Sequence, residues 1–132
     1  MRLRFRQAVM CSTTSAEERD LGNRELDIIV DTLSEGGVMR FKLVAGVLNQ
    51  NLQHPQVATA AYLFVCTAPV DPNATPGTIN LRRNSPSGEE WPVAPVDGKE
   101  GCFQMSTSGL TALYASNPGT VDMFVTVGMA GD

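Results

Sequence analysis

A chain of 132 residues with a formal charge of −4 and 18% charged residues has the length of one domain and can bury a core without disulfides or metals. Its acidity excludes a broadly basic nucleic-acid surface. No apolar run approaches the ~20 residues of a membrane helix or has the flanks of a signal peptide, so a soluble protein is expected.

Roughly a quarter of the residues are charged in an ordinary soluble domain, so this chain has a sparsely charged surface, of the kind that other subunits cover. Its three cysteines, Cys11, Cys66 and Cys102, cannot all pair within the chain and contain no CxxC. Each sits in a strand-like run, and buried free thiols are expected, in a reducing compartment or an assembled particle.

Residues 2–11 alternate, with Leu3, Phe5, Val9 and Cys11 on one face and Arg2, Arg4 and Arg6 on the other. This predicts a first strand with a basic stripe. The polar tract 12–23 holds Ser15 followed by Glu18, a capping box that predicts a short helical turn ended by Gly22. A second strand is expected from Leu26 to Leu33, with Leu26, Ile28 and Val30 inward and Asp27, Ile29, Asp31 and Leu33 on the other face. Glu35-Gly-Gly37 turns the chain into the run Val38–Leu48, whose faces are Met39, Phe41, Leu43, Ala45 and Val47 against Val38, Arg40, Lys42, Val44 and Leu48.

The run Val57–Thr67 is apolar on both faces, as in a strand covered on each side, and is placed centrally. Its link to the preceding run, Asn49–Gln56, is polar and reads as a loop, the return of a hairpin. After residue 68 come a Pro- and Gly-rich loop at 69–77 and a short strand at 78–82. The segment Trp91–Val96 is restricted to an edge, because its prolines lack ladder donors. Strands are expected at 102–107 and 120–127. The segment 109–116 is ambiguous, since Leu110, Leu113 and Tyr114 also have helical spacing. The seven or eight strands lack a βαβ rhythm or a repeat, which predicts one all-β domain over 1–132. Two antiparallel sheets packed as a sandwich or jelly roll, with at most one short helix, are expected; a closed barrel is the alternative.

Little in the chain points to catalysis. His54 is the single histidine, in a polar loop before Pro55, and is expected to be solvated. The cysteines are too scattered to predict a zinc site, and Asp27 and Asp31 fit no calcium loop. Asp71, Asn73 and Thr75 are explained by turn chemistry, and Asn73-Ala-Thr75, formally a glycosylation sequon, reads the same way. Glu89 and Glu90 are adjacent strand residues that point to opposite faces, so they cannot flank one glycosidic bond. An enzyme, a cofactor, a metal and a small-molecule ligand are therefore not expected. Trp91 offers a stacking ring for a carbohydrate-binding alternative. Arg2, Arg4 and Arg6, with Arg82 and Arg83, either contact phosphates, pair with Asp27 and Asp31 on a neighbouring strand or protect a sheet edge. The apolar residues opposite the assigned core, Ile29, Leu33, Val44, Leu48 and Phe124, are the candidate subunit interface.

The central runs 38–67, the loop Asp71-Pro-Asn-Ala-Thr-Pro-Gly77 and the ending Tyr114 to Val127 give the chain a texture that resembles β-sandwich coat or protruding domains of small non-enveloped viruses. The resemblance implies a structural subunit that assembles through sheet edges and loops, without a cofactor, located in the virion or the host cytoplasm. Such coats often carry a long basic arm for the genome. Here only Arg2, Arg4 and Arg6 stand in that place, which points to a projecting, minor or arm-less subunit whose partners are copies of itself or other coat subunits.

Overall fold

The computed structural model describes the backbone of residues 2–14, 17–29, 35–96 and 98–132, and side chains from residue 36 onward within these ranges. The chain forms two compact units, Met1–Leu33 and Ser34–Asp132.

The first unit is an antiparallel ribbon of β1 (Arg2–Thr14) and β2 (Glu17–Ile29). Each strand has 13 residues, roughly 43 Å when extended. The register sets Arg2 opposite Ile29, Arg4 opposite Asp27 and Arg6 opposite Glu25. The helical turn expected at 15–22 is absent where the chain is described, since Glu17 onward is already strand. A single helical turn fixes several residues for one hydrogen bond, whereas the ladder with β1 pairs almost every residue of β2. The second strand therefore begins nine residues earlier than Leu26, where alternation becomes visible. Val30, Asp31 and Leu33 lie outside the described residues.

The second unit holds β3 (Glu35–Leu43), β4 (Gln50–Asn51), β5 (Ala60–Pro69), β6 (Ile79–Arg83), β7 (Glu90–Val93), β8 (Gly101–Leu110), β9 (Leu113–Ser116) and β10 (Met123–Gly131). They form two four-stranded antiparallel sheets, β3-β10-β5-β8 and β4-β9-β6-β7. The chain changes sheet at each step except the β6–β7 hairpin. This is the two-sheet sandwich expected, with jelly-roll strand order, and neither sheet closes into a barrel.

The core lies between the sheets, where Leu43, Leu63 and Val125 from one meet Leu81 and Leu113 from the other, all fully buried. Burying each such side chain contributes about 1.5–3 kcal/mol. The alternation is regular in β10, where Met123, Val125, Val127 and Met129 are buried while Phe124, Thr126 and Gly128 are half-buried on the other side.

Three expectations about local structure are corrected. The runs 38–48 and 57–67 are not a hairpin, because β10 lies between β3 and β5 and bonds to both. The polar link instead crosses to the second sheet. Gln50 and Asn51 pair with Ala115 and Tyr114, and Leu52 and Val57 are buried in the core. Strand β3 ends at Leu43, and the turn that follows places Gly46 at φ 78° and Asn49 at φ 52°. The ambiguous segment 109–116 is extended and not helical: β8 ends at Leu110 just after Gly109 at φ 70°, β9 begins at Leu113, and the helical spacing of Leu110, Leu113 and Tyr114 spans the corner between them. The edge position expected for Trp91–Val96 is found, since β7 lies at the end of its sheet with Pro92 in it.

Two polar clusters fix the loops beside β3. Asn117 is fully buried; its Nδ2 donates to the carbonyls of Leu43 (3.1 Å) and Val121 (2.8 Å), and its Oδ1 accepts from the Gly119 N–H (3.1 Å). Its backbone closes the same corner, with Gly46 N–H donating to the Asn117 carbonyl and Asn117 N–H to that of Val47, both at 2.9 Å. Nearby, Asp122 accepts from the Ala45 N–H at 2.9 Å and pairs with Lys42 at 3.0 Å. The Ala45 N–H first, and Lys42 second, hold the Asp122 carboxyl below the usual aspartate range. Because the folded value lies below the unfolded one, this contribution is present above about pH 4 and is lost as pH falls through the folded value. The stability difference between the wild type and Asp122→Asn, read from urea melts, is therefore expected to be open at neutral pH and to narrow as pH falls through the folded value.

Candidate assembly surface

The outer face of the β3-β10-β5-β8 sheet carries more apolar surface than its strands need for the core. Cross-strand register builds it in rows: Val38, Gly128, Phe64 and Gln104; Arg40, Thr126, Cys66 and Cys102; Lys42, Phe124 and Ala68. A Cβ built on Gly128 would stand 3.6 Å from Phe64 and 3.7 Å from Val38, so the missing side chain leaves a shallow notch between the two. The Arg40 guanidinium lies 3.8 Å over the Phe124 ring, a cation–π contact that half-covers it. Tyr62 donates to Gln104 Oε1 at 3.0 Å, and burial pushes its phenol above the ordinary range.

The predicted interface residues fall into two groups. Val44 and Leu48 are 50% and 71% exposed. They flank the turn after β3, at the end of the sheet where Leu43 and Lys42 pair with Met123 and Phe124. Phe124 is half-buried on the outer face and pairs with Lys42, two residues before Val44, whereas Leu48 lies farther along, between Val47 and Asn49, whose backbone groups bond to Asn117 and Ser116. Val38, 71% exposed, extends the apolar surface along β3, while Arg40 and Lys42 keep this edge strand charged. Ile29 is placed by its backbone opposite Arg2, and its side chain and all of Leu33 lie outside the described residues. Val96, 67% exposed, belongs to the β7–β8 connection and was not singled out by the alternation.

The remaining candidates have local roles. Trp91 is half-buried against the core and stacks on Phe103, with ring centroids 6.0 Å apart and planes at 19°; the pair joins β7 to β8 at the lateral edge of the sandwich. Arg82 binds Glu90 at 2.6 Å and the Pro86 carbonyl, and Arg83 donates to the Ser108 carbonyl at 3.2 Å. His54 lies in the polar link as expected, half-buried, with its Nδ1 accepting from the Gln56 N–H at 3.2 Å, and a Cβ on Gly37 would come within 2.5 Å of its Nε2. Asp71 accepts from the Asn73 N–H at 2.9 Å, the turn contact expected there. Among the described residues no three His, Cys, Asp or Glu side chains converge as metal ligands, and no helix is long and apolar enough to cross a membrane.

Cys66 and Cys102 are free thiols as expected, but their expected burial is corrected, and the Cys11 side chain lies outside the described residues. Cys102 is exposed and Cys66 half-buried, and the two are direct cross-strand partners on β5 and β8. Alternation alone puts Cys66 on the outer face with Tyr62 and Phe64. Its pairing with Cys102 depends on register, which composition does not reveal. No protein-family model and no curated protein matches the chain.

Proposed function

We propose that the chain is a structural, self-associating subunit, of the shell or projecting type found in non-enveloped particles, that meets its neighbours through the Val44, Leu48 and Phe124 end of the β3–β10 sheet. The observation that carries this reading is the exposure of Val38 and Leu48 at 71% with Val44 at 50%, on β3 and the turn that follows it, with Phe124 half-buried on the outer face of the neighbouring β10. Each such side chain returns about 25 cal/mol per Å2 of apolar area when a second subunit covers it. Jelly rolls serve in viral capsids and also in lectins and cupins, so the strand order is compatible with this role, and the exposed aliphatic side chains support it. The carbohydrate-binding alternative would use Trp91, which is half-buried against the core and packs on Phe103, leaving less of its ring to stack on a sugar. A genome-binding role for Arg2, Arg4 and Arg6 competes with the register that sets Arg4 and Arg6 opposite Asp27 and Glu25.

Light scattering behind a sizing column tests the proposal. The wild type is expected to run as a closed oligomer or particle well above the 14.2 kDa of one chain. The double substitution Val44→Asp and Leu48→Asp is expected to yield a folded monomer with the circular dichroism of the wild type, because both side chains are exposed in the single chain, and its urea midpoint is expected to fall only by what association adds. A wild type that stays monomeric over the accessible concentration range would overturn it.

A further inference from the structure

We propose that Cys66 and Cys102 form a cross-strand dithiol site that low-molecular-weight disulfides convert into an intrachain disulfide. This goes beyond self-association and does not depend on it. Residues directly opposite in an antiparallel pair have Cα atoms about 4.5–5.5 Å apart, inside the 4.4–6.8 Å that a disulfide spans. Cys66 and Cys102 occupy such positions on the face of the sheet turned away from the core. Strand β8 lies at the sheet edge, bonded only to β5, so it can shift to accommodate the bond while the interior strand stays fixed.

The environment gives the two sulfurs different tasks. Burial, then the hydrogen bond and charge of Cys102, then Glu100, push the Cys66 thiol up to about 12, whereas Cys102 is exposed. Cys102 is therefore the entry point. Its thiolate attacks one sulfur of the small disulfide and expels the other as a thiolate. The Cys66 sulfur, losing its proton to solvent, then attacks the Cys102 sulfur and expels the remaining small thiol. The protein loses two electrons and two protons, and the small disulfide gains both to become two thiols. The second step quickens as pH rises, because only the Cys66 thiolate attacks.

The test uses the full chain carrying Cys11→Ser, which removes the third thiol, treated with glutathione disulfide at mildly alkaline pH. Both thiols are expected to disappear, with a mass loss of two hydrogens, a peptide link between residues 66 and 102, and full reversal by a thiol reductant. Adding Cys66→Ser is expected to stop the reaction at one glutathione adduct on Cys102. Should that variant fail to fold, Cys66→Ala gives the same reading. In urea, ring closure is expected to slow at least about tenfold, since the strands no longer hold the sulfurs together. Accumulation of the adduct with Cys66 still titratable, a disulfide between chains, or a closure rate unchanged in urea would overturn the proposal.

Discussion

Leu63→Ala is expected to lower the stability of the sandwich unit by about 3–5 kcal/mol, the upper range for a buried leucine whose site cannot collapse. Leu63 is fully buried in β5, an interior strand bonded to β10 on one side and β8 on the other. Its cross-strand partners are Met129 and Met105. The backbone on both sides is held by ladders, so the walls of the cavity cannot move in to fill it. The urea midpoint, followed through Trp91, the chain's single tryptophan, is expected to fall by about 1–3 M. Val38→Ala, on the exposed face, is expected to stay within about 0.5 kcal/mol of wild type. Equal losses for the two substitutions would mean that the space between the sheets is not the core.

Asn117→Ala is expected to cost about 2–4 kcal/mol, although it removes only a small polar side chain. The substitution leaves the carbonyls of Leu43 and Val121 and the Gly119 N–H without their partner, and each buried group left unpaired costs about 1–3 kcal/mol. Asn117→Asp, nearly identical in shape, separates donation from size. It keeps the acceptor for Gly119 but turns a carboxylate oxygen toward two carbonyls in a site with no solvent, so it is expected to be at least as destabilising as alanine. Urea melts of the two variants at neutral pH check this. A near-neutral aspartate variant would show that the corner is held by its backbone bonds alone.

The strands that alternate cleanly were the legible part of this molecule. In β10, period two assigns Met123, Val125 and Val127 to the core, and the structure buries all three. The same reasoning places β5 in a sheet interior, because only a doubly covered strand carries apolar residues on both faces. Pairing was not legible, since hydrogen-bonding partners are chosen across long sequence distances by packing between sheets. Leu52 illustrates the difficulty: one leucine among asparagines and glutamines looks like a loop residue, yet it is wholly buried and marks the crossing between sheets. Asn117 sits in an Asn-Pro-Gly stop signal that announces a turn without revealing that its amide is a buried anchor. The capping box at Ser15 and Glu18 was a valid local signal that a thirteen-residue ladder outweighed. For the candidate surface, Val44, Leu48 and Phe124 could be named from alternation. That Phe124 lies opposite Lys42, next to the turn that carries Val44, followed only from the register of β3 on β10.

The position of β10 also sets the order in which the sandwich can form. Its ladder with β3 runs from Leu43 against Met123 out to Glu35 against Gly131, so one of the earliest strands of this unit waits for the last. Until residues 123–131 are available, β3 and β5 stand roughly 9–10 Å apart, two strand spacings, each with an unpaired edge. Closing so long a loop is paid for in entropy before any pairing returns it. Folding therefore belongs in the slow, millisecond-to-second regime of proteins dominated by distant contacts. During that interval a strand supplied by a neighbouring copy fits the same gap, and chain concentration during synthesis decides whether β10 closes its own sheet or another's.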